Sequence, residues 1–231
     1  MNYADFVRRF DESKESLFHQ IYQDNRDIIK IKKEATAIKN FEKIFDAVFR
    51  ITYEKGFQAM TMRDLSRETQ LSMGALYAYF QSKDELLTII QRQGRTMIKR
   101  VLESHCTPKD SPLKKLTTVV KAHLFLSELA KPWFYFNFME AKNLSDTERE
   151  AILASEAYTE TILFEILEDG EQKGVFQAGN HMLTASIIKA MQQEWYLKRW
   201  KYTRRNVSVD DYAACVLGFI ESYCVKQEGK L

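Results

Sequence analysis

From residue 40 onward the hydrophobic positions fall into a helical rhythm. Phe41, Ile44, Phe45, Val48, Phe49 and Thr52 follow at i, i+3, i+4, i+7, i+8 and i+11, the spacing of one helix face. Asn40 suits an N-cap and Gly56 a C′ residue, so a helix is expected between them. Upstream, Phe6, Phe10, Leu17, Ile21 and Tyr22, then Ile28, Ile31, Ala35 and Ile38, recur at roughly helical intervals over residues 3 to 38. Asp24-Asn25 marks an expected break there. No stretch alternates with period two between turn pairs, so strands are not expected. No run is long and apolar enough to span a bilayer.

Beyond Gly56 the rhythm shortens. Thr61, Ser72 and Ser82 each suit an N-cap, and Glu85 follows Ser82 at the capping-box interval. Caps this close predict short helices joined by tight turns, then a longer helix from Lys83 to about His105. The segment CTPKDSP, residues 106 to 112, holds Pro108 and Pro112 and reads as a linker. Further helices are expected at 113–130, 134–142, 147–173, 181–202 and 208–227, the last opened by the acidic Ser208-Val209-Asp210-Asp211. The fold class is therefore all-α. Its parts are a helical extension (1–39), a three-helix helix-turn-helix domain with its linking helix (40–105) and a larger helical domain (106–231).

Composition narrows the function classes. The chain is 45% hydrophobic and 29% charged, enough for a sizeable core under a soluble surface. With 34 basic and 32 acidic residues the net charge is +2, so any nucleic-acid surface must be local rather than a bulk effect. Cys106, Cys215 and Cys224 form no CxxC pair, and the first residues carry no apolar targeting core. Both fit reduced thiols in a cytoplasm. His19, His105, His123 and His181 are scattered, without metal-ligand spacing. No GxSxG, Walker loop, GxGxxG or carboxylate constellation occurs. No catalytic residue, metal or cofactor is assigned, and enzymatic activity is not expected.

Residues 61 to 87, TMRDLSRETQLSMGALYAYFQSKDELL, are the most informative segment. A helix that reads DNA needs small leading residues, donors or flat amphipathic groups beside them, and a second helix bracing its back. Ser72 opens such a helix with free N–H groups towards phosphate. Gly74 and Ala75 permit close approach, while Tyr77 and Tyr79 supply hydroxyls and ring faces. Leu71, Leu76 and Phe80 are expected to turn inward against Phe45, Val48 and Leu65. Thr61, Arg63 and Lys83 flank the helix with further donors.

Gly56, Thr61, Leu65-Ser66, Ser72, Leu76-Tyr77-Ala78-Tyr79-Phe80 and Ser82-Lys83-Asp84-Glu85-Leu86 together resemble the helix-turn-helix of the TetR family of transcriptional regulators, over about residues 41 to 90. The resemblance implies operator-DNA binding as a homodimer, with effector pocket and dimer interface in the C-terminal domain. It implies phosphate contacts from Thr61, Tyr77 and Lys83, and base or groove contacts from Arg63, Met73, Gly74, Ala75 and Tyr79. The chain departs from the family pattern at Gln70, where a turn glycine is usual, and at the apolar Met73 and Ala75. Thymine-methyl contact or shape reading then gains weight over hydrogen bonds to bases. The extension of about 40 residues is longer than usual.

Other patterns bear on partners. Residues 26 to 39 hold five basic and two acidic residues, either a solvated face or a basic arm for DNA or dimer contact. The aromatic run Trp133, Phe134, Tyr135, Phe136 and Phe138 suits core packing or the wall of an effector pocket. Trp195, Tyr196, Trp200 and Tyr202 alternate with cations including Arg199, as an interface-helix end or a clamp for an anionic ligand tail. Ile187, Ile188, Met191, Val216, Leu217, Phe219 and Ile220 are candidates for a four-helix dimer interface. The reading is a ligand-responsive regulator, most often a repressor, released from a near-palindromic operator by a small hydrophobic or aromatic effector. The alternatives are a small-molecule-binding or enzymatic helical protein reusing the fold, or a helical protein-interaction module.

Overall fold

A computed structural model describes residues 1–26, 29–31, 33–105, 107–140 and 146–226. Ile28 and Cys106 lie outside the described residues, as do the side chains of Leu17 and Ile21. The described elements are helices: α1 (Tyr3–Asp24), α2 (Glu34–Lys55), α3 (Met62–Thr69), α4 (Met73–Leu76), α5 (Lys83–His105), α6 (Pro112–Leu129), α7 (Lys131–Glu140), α8 (Asp146–Gln172), α9 (His181–Leu197), α10 (Arg199–Arg204) and α11 (Val209–Cys224). One isolated antiparallel bridge joins Phe176 to Val225. No described helix is long and apolar enough to cross a membrane. No group of three or more potential metal ligands occurs among the described residues.

The chain forms two compact units. One comprises residues 1–7, 98–131 and 153–231, and the other residues 8–97 and 132–152. In the second, α2 buries Phe41, Ile44, Phe45, Val48 and Thr52, nearly the whole face read from their spacing. Gly56 ends α2 at φ 82°, and its N–H donates to Thr52 O at 2.8 Å. The helix starts earlier than expected, after Lys33, which makes no side-chain cap. Asn40 is therefore an interior residue of α2 and not its cap.

In the first unit, α6, α9 and α11 pack on one another. Three polar side chains start them: Ser111 accepts from Lys114 N, Asn180 from Leu183 N, and Ser208 from Asp211 N. Asp211 also accepts from Ser208 N, completing a capping box. The expected 181–202 helix breaks at Lys198 into α9 and α10. A straight helix would set Trp195 and Tyr202 roughly 10 Å apart along its axis. Their rings instead lie 5.2 Å apart, and Tyr212 completes the cluster at 5.0 and 4.8 Å. The break thus brings three aromatic rings together. Outside this core, Ile187 is 53% and Phe219 66% exposed, along a groove of about 360 Å³ that Met191 and Tyr223 also line.

Candidate nucleic-acid interface

The interface is assembled from a succession of caps. Thr61 Oγ1 accepts from Asp64 N at 3.1 Å, and Asp64 accepts from Thr61 N at 2.9 Å, so α3 opens with a capping box. Asp64 also accepts from Lys55 Nζ at 2.7 Å and Arg67 Nη2 at 2.9 Å. The bond from Lys55 foremost, then those from the Thr61 hydroxyl and backbone, hold the carboxyl far below the usual carboxylate range. Asp64 is thus matched by two cations, and Glu68 of α3 by Arg50, so neither repels an approaching phosphate much.

After α3, Gln70 takes the left-handed conformation at φ 59°. This is the position where the family pattern has glycine, and the strain costs about 1 kcal/mol. Local bonds hold the turn: Ser66 Oγ donates to Leu71 O at 2.6 Å, and Thr69 Oγ1 to Leu65 O at 2.7 Å. Ser72 Oγ then accepts from Ala75 N at 3.1 Å and starts α4. Only Met73 to Leu76 are α-helical, and the chain continues as a turn through Tyr79. Leu76 and Phe80 are buried beneath it, with Phe45, Val48 and Leu65 in the same core.

Thr61, Arg63, Ser72, Gly74 and Tyr77 are exposed on this edge, and Met73 and Ala75 are partly so. Arg63 has no hydrogen-bond or ion-pair partner among the described residues. A Cβ on Gly74 would meet nothing within 4 Å, so the fold itself does not require glycine there. The Tyr77 phenol is 43% exposed.

Two expected contacts are corrected by their surroundings. Tyr79 is fully buried; its hydroxyl accepts from Asn40 Nδ2 at 2.8 Å and its ring stands edge-on to Phe41 at 5.1 Å. Burial raises its pKa, the Asn40 bond opposing. It braces the recognition turn from behind and is not at a groove wall. Lys83 Nζ lies 3.2, 3.0 and 3.4 Å from the carbonyl oxygens of Phe57, Gln58 and Met60 and over the Phe57 ring. Its donors serve the α2–α3 loop rather than a phosphate.

One neighbour of the turn was only half legible in the sequence. Lys30 N donates to Ala78 O at 2.8 Å, and Tyr22 Oη to Ile31 O at 3.1 Å. The extension thus lies against the recognition turn, with Arg26, Lys30 and Lys33 exposed.

Of the expected effector residues, Trp133, Phe134, Phe136 and Trp195 are buried packing groups. Trp133 Nε1 donates to Ile90 O at 3.3 Å, Phe134 lies edge-on to Trp133 at 5.0 Å, and Phe136 is edge-on to Phe49 and Phe57 at 5.6 Å each. Phe138 is exposed. All four belong to the unit that holds α3 and α4. In the other unit, Glu128 accepts from Trp195 Nε1 at 3.1 Å and Arg199 Nε at 2.9 Å. Arg199 is therefore already paired with a carboxylate. The sequence reading missed a buried polar set in that unit, His123, Thr159, Lys189 and Gln192. Burial first, then the charge of Lys189, pushes the His123 pKa well below its ordinary value. The available signal was Gln192, which stands in the apolar register between Ile188 and Trp195.

The comparisons with known proteins agree with this architecture. Residues 44–88 match the family model for bacterial regulatory proteins of the tetR family. Residues 109–218 match that for the tetracyclin repressor-like C-terminal domain. The HTH-type transcriptional regulator PksA of Bacillus subtilis is 27% identical over 122 residues, 50% of this chain and 60% of PksA. This match thus spans less than two thirds of the relative's length. The TetR-family regulator PfmR of Thermus thermophilus superposes with a TM-score of 0.70 at 25% identity, over 78% of this chain and 98% of PfmR. AibR, solved with isovaleryl coenzyme A and operator DNA, shares the fold with a TM-score of 0.68 at 17% identity, over 78% of this chain and 97% of its own. Two family models that together take in well over half of the chain, laid over a capped helix-turn-helix and a larger helical unit, show that this chain belongs to the tetR family of bacterial regulatory proteins.

Proposed function

We propose that this chain works as a ligand-responsive repressor that holds a near-palindromic operator as a homodimer and releases it when a small effector binds. The observation that carries the reading is the edge formed by Thr61, Arg63, Ser72, Gly74 and Tyr77. Its helices are capped, the two carboxylates of α3 are paired, Asp64 with Lys55 and Arg67 and Glu68 with Arg50, and its glycine has no role in packing. Backbone N–H groups and hydroxyls contact phosphate there, and Arg63 with Met73 meets the groove. Arg26, Lys30 and Lys33 extend the basic surface beside Ala78. The exposed apolar residues Ile187 and Phe219 support a dimer face on α9 and α11, whereas Ile188, Val216, Leu217 and Ile220 of the expected interface are buried within the chain itself. Two-fold symmetry then sets the recognition segments roughly 34 Å apart, one duplex turn.

The effector is read as a small molecule with an apolar body, taken up by the C-terminal domain. The complex of AibR with isovaleryl coenzyme A supports acyl compounds as a first class to screen. Helix α5 contributes residues to both units and is the element through which binding alters the spacing. Duplexes selected from a random pool, titrated by fluorescence anisotropy at physiological salt, test the reading. A palindromic consensus bound by two chains is expected; no sequence preference would refute it.

A further inference from the structure

Helix α5 carries a run of cations along its middle. Between Leu86 and Leu102 it has four cations, Arg92, Arg95, Lys99 and Arg100, and no carboxylate. Lys99 and Arg100 are exposed, as a solvated face would have them. Gln91, Arg92 and Arg95 are not. They share one flank of the helix, at i, i+1 and i+4. Gln91 is 2% exposed, and neither its amide nitrogen nor its amide oxygen has a hydrogen-bond partner. Arg92 donates from Nη2 to the side-chain oxygen of the buried Asn25, and its own buried Nε is without a partner. Arg95 is partly buried and makes no hydrogen bond or ion pair among the described residues. Burial, then the charge of Arg92, lowers its pKa. Two like charges, partly withdrawn from water, beside a buried unsatisfied amide on one flank are an unfavourable arrangement in isolation. An oxyanion resolves it. Guanidinium N–H groups give short charge-assisted bonds to carboxylate or phosphate oxygens, and the Gln91 amide supplies one more donor.

We propose that Gln91, Arg92 and Arg95, all within the unit that holds α3 and α4, form a recognition site for an acidic oxygen group, carboxylate or phosphate, whose binding regulates this chain. The proposal rests on the effector-responsive reading for its biological use. The binding chemistry is independent of it. The site lies on the helix shared by both units, so occupying it bears directly on the element that carries the response.

The test uses the full-length chain with three probes: inorganic phosphate, octanoate and uncharged octanol. Melting temperature is followed against chloride at matched ionic strength, and affinity by titration calorimetry. Saturable stabilisation by phosphate or octanoate is expected, with at least tenfold weaker binding to Arg95→Gln and no such loss for octanol. Whichever anion acts identifies the carboxylate or the phosphate as the source. Without either anion, Arg95→Gln is expected to melt at or above wild type, because a like charge is gone; an arginine serving structure alone would lower it. Failure of both anions to stabilise, or an Arg95→Gln response equal to wild type, overturns the proposal. Duplex binding is measured on the same preparations. Specific DNA binding with no anion response sinks this site alone. An anion response without specific DNA binding sinks the regulator reading alone.

Discussion

Gly94 lies in the middle of α5, where Trp133 crosses the helix. A Cβ built on Gly94 would stand 1.9 Å from both Cε2 and Cζ2 of the Trp133 indole and 2.2 Å from its Nε1. The indole has little room to retreat, since Trp133 is buried and its N–H is tied to Ile90 O at 3.3 Å. Gly94→Ala therefore forces the ring or the helix to move. Overpacking of a filled core costs about 1–3 kcal/mol, and a contact this short belongs near 3. Loss of the indole hydrogen bond adds about 1 kcal/mol. Better helix propensity of alanine returns about 1 kcal/mol. The net expectation is a loss of about 3 kcal/mol, or a fall in Tm of about 6–12 °C for a chain of this size. Urea titration followed by far-UV circular dichroism gives the value. Gly94→Ala combined with Trp133→Leu should recover part of the loss, with a coupling of about 1–3 kcal/mol. Wild-type stability in the single variant, or strict additivity in the double, would refute the packing argument.

Three further outcomes follow from the same geometry. Tyr77→Ala should weaken duplex binding with little change in melting, whereas Tyr79→Phe, which strands the Asn40 amide, should lose about 1 kcal/mol of stability and leave the DNA affinity of the folded protein near wild type; anisotropy and urea titration on the pair separate the two roles. Gln70→Gly relieves the left-handed backbone at φ 59° and should stabilise by about 0.5–1 kcal/mol, and an unchanged urea midpoint counts against strain there. His123 has a depressed folded pKa, so the unfolded chain binds its proton first; its contribution is whole above pH about 6.5 and declines as pH falls below that, with a slope of up to about 1.4 kcal/mol per pH unit. His123→Met should flatten that decline in urea titrations across pH 5 to 7, and an unchanged profile would be evidence against it.

What was legible in the sequence followed local chemistry. Helix α5 starts and stops where Ser82 and the prolines beyond His105 place it, because caps and breakers act through the backbone of their own neighbours. Gly56 ends α2 with the positive φ that suits a glycine at a helix end, and Gln70 takes the left-handed conformation where the family pattern has glycine. The failures are tertiary. Asn40 looks like a cap, yet its amide serves Tyr79, a residue 39 positions away. Both tyrosines were expected in the groove, although residues two apart on a helix point to nearly opposite sides. The aromatic run from Trp133 could not be divided between core and pocket, since hydrophobicity alone does not say which surface covers it. Trp195 and Arg199 looked ready for a ligand because their shared partner, Glu128, is some seventy residues distant.

Lys83 gives the recognition segment an unusual suspension. Its ammonium group joins the first turn of α5 to the loop between α2 and α3, close to where α3 begins. The helix-turn-helix is thus tethered at both ends of its span to the same cation. A tilt of α5 would carry the loop with it, reorienting α3 and α4 as one piece with their internal bonds intact. Release of DNA would then be a steering event rather than a melting event. The amides of α3 and α4 would stay slow to exchange with solvent in the released state, and Lys83→Met would uncouple the steering while leaving the steered element folded.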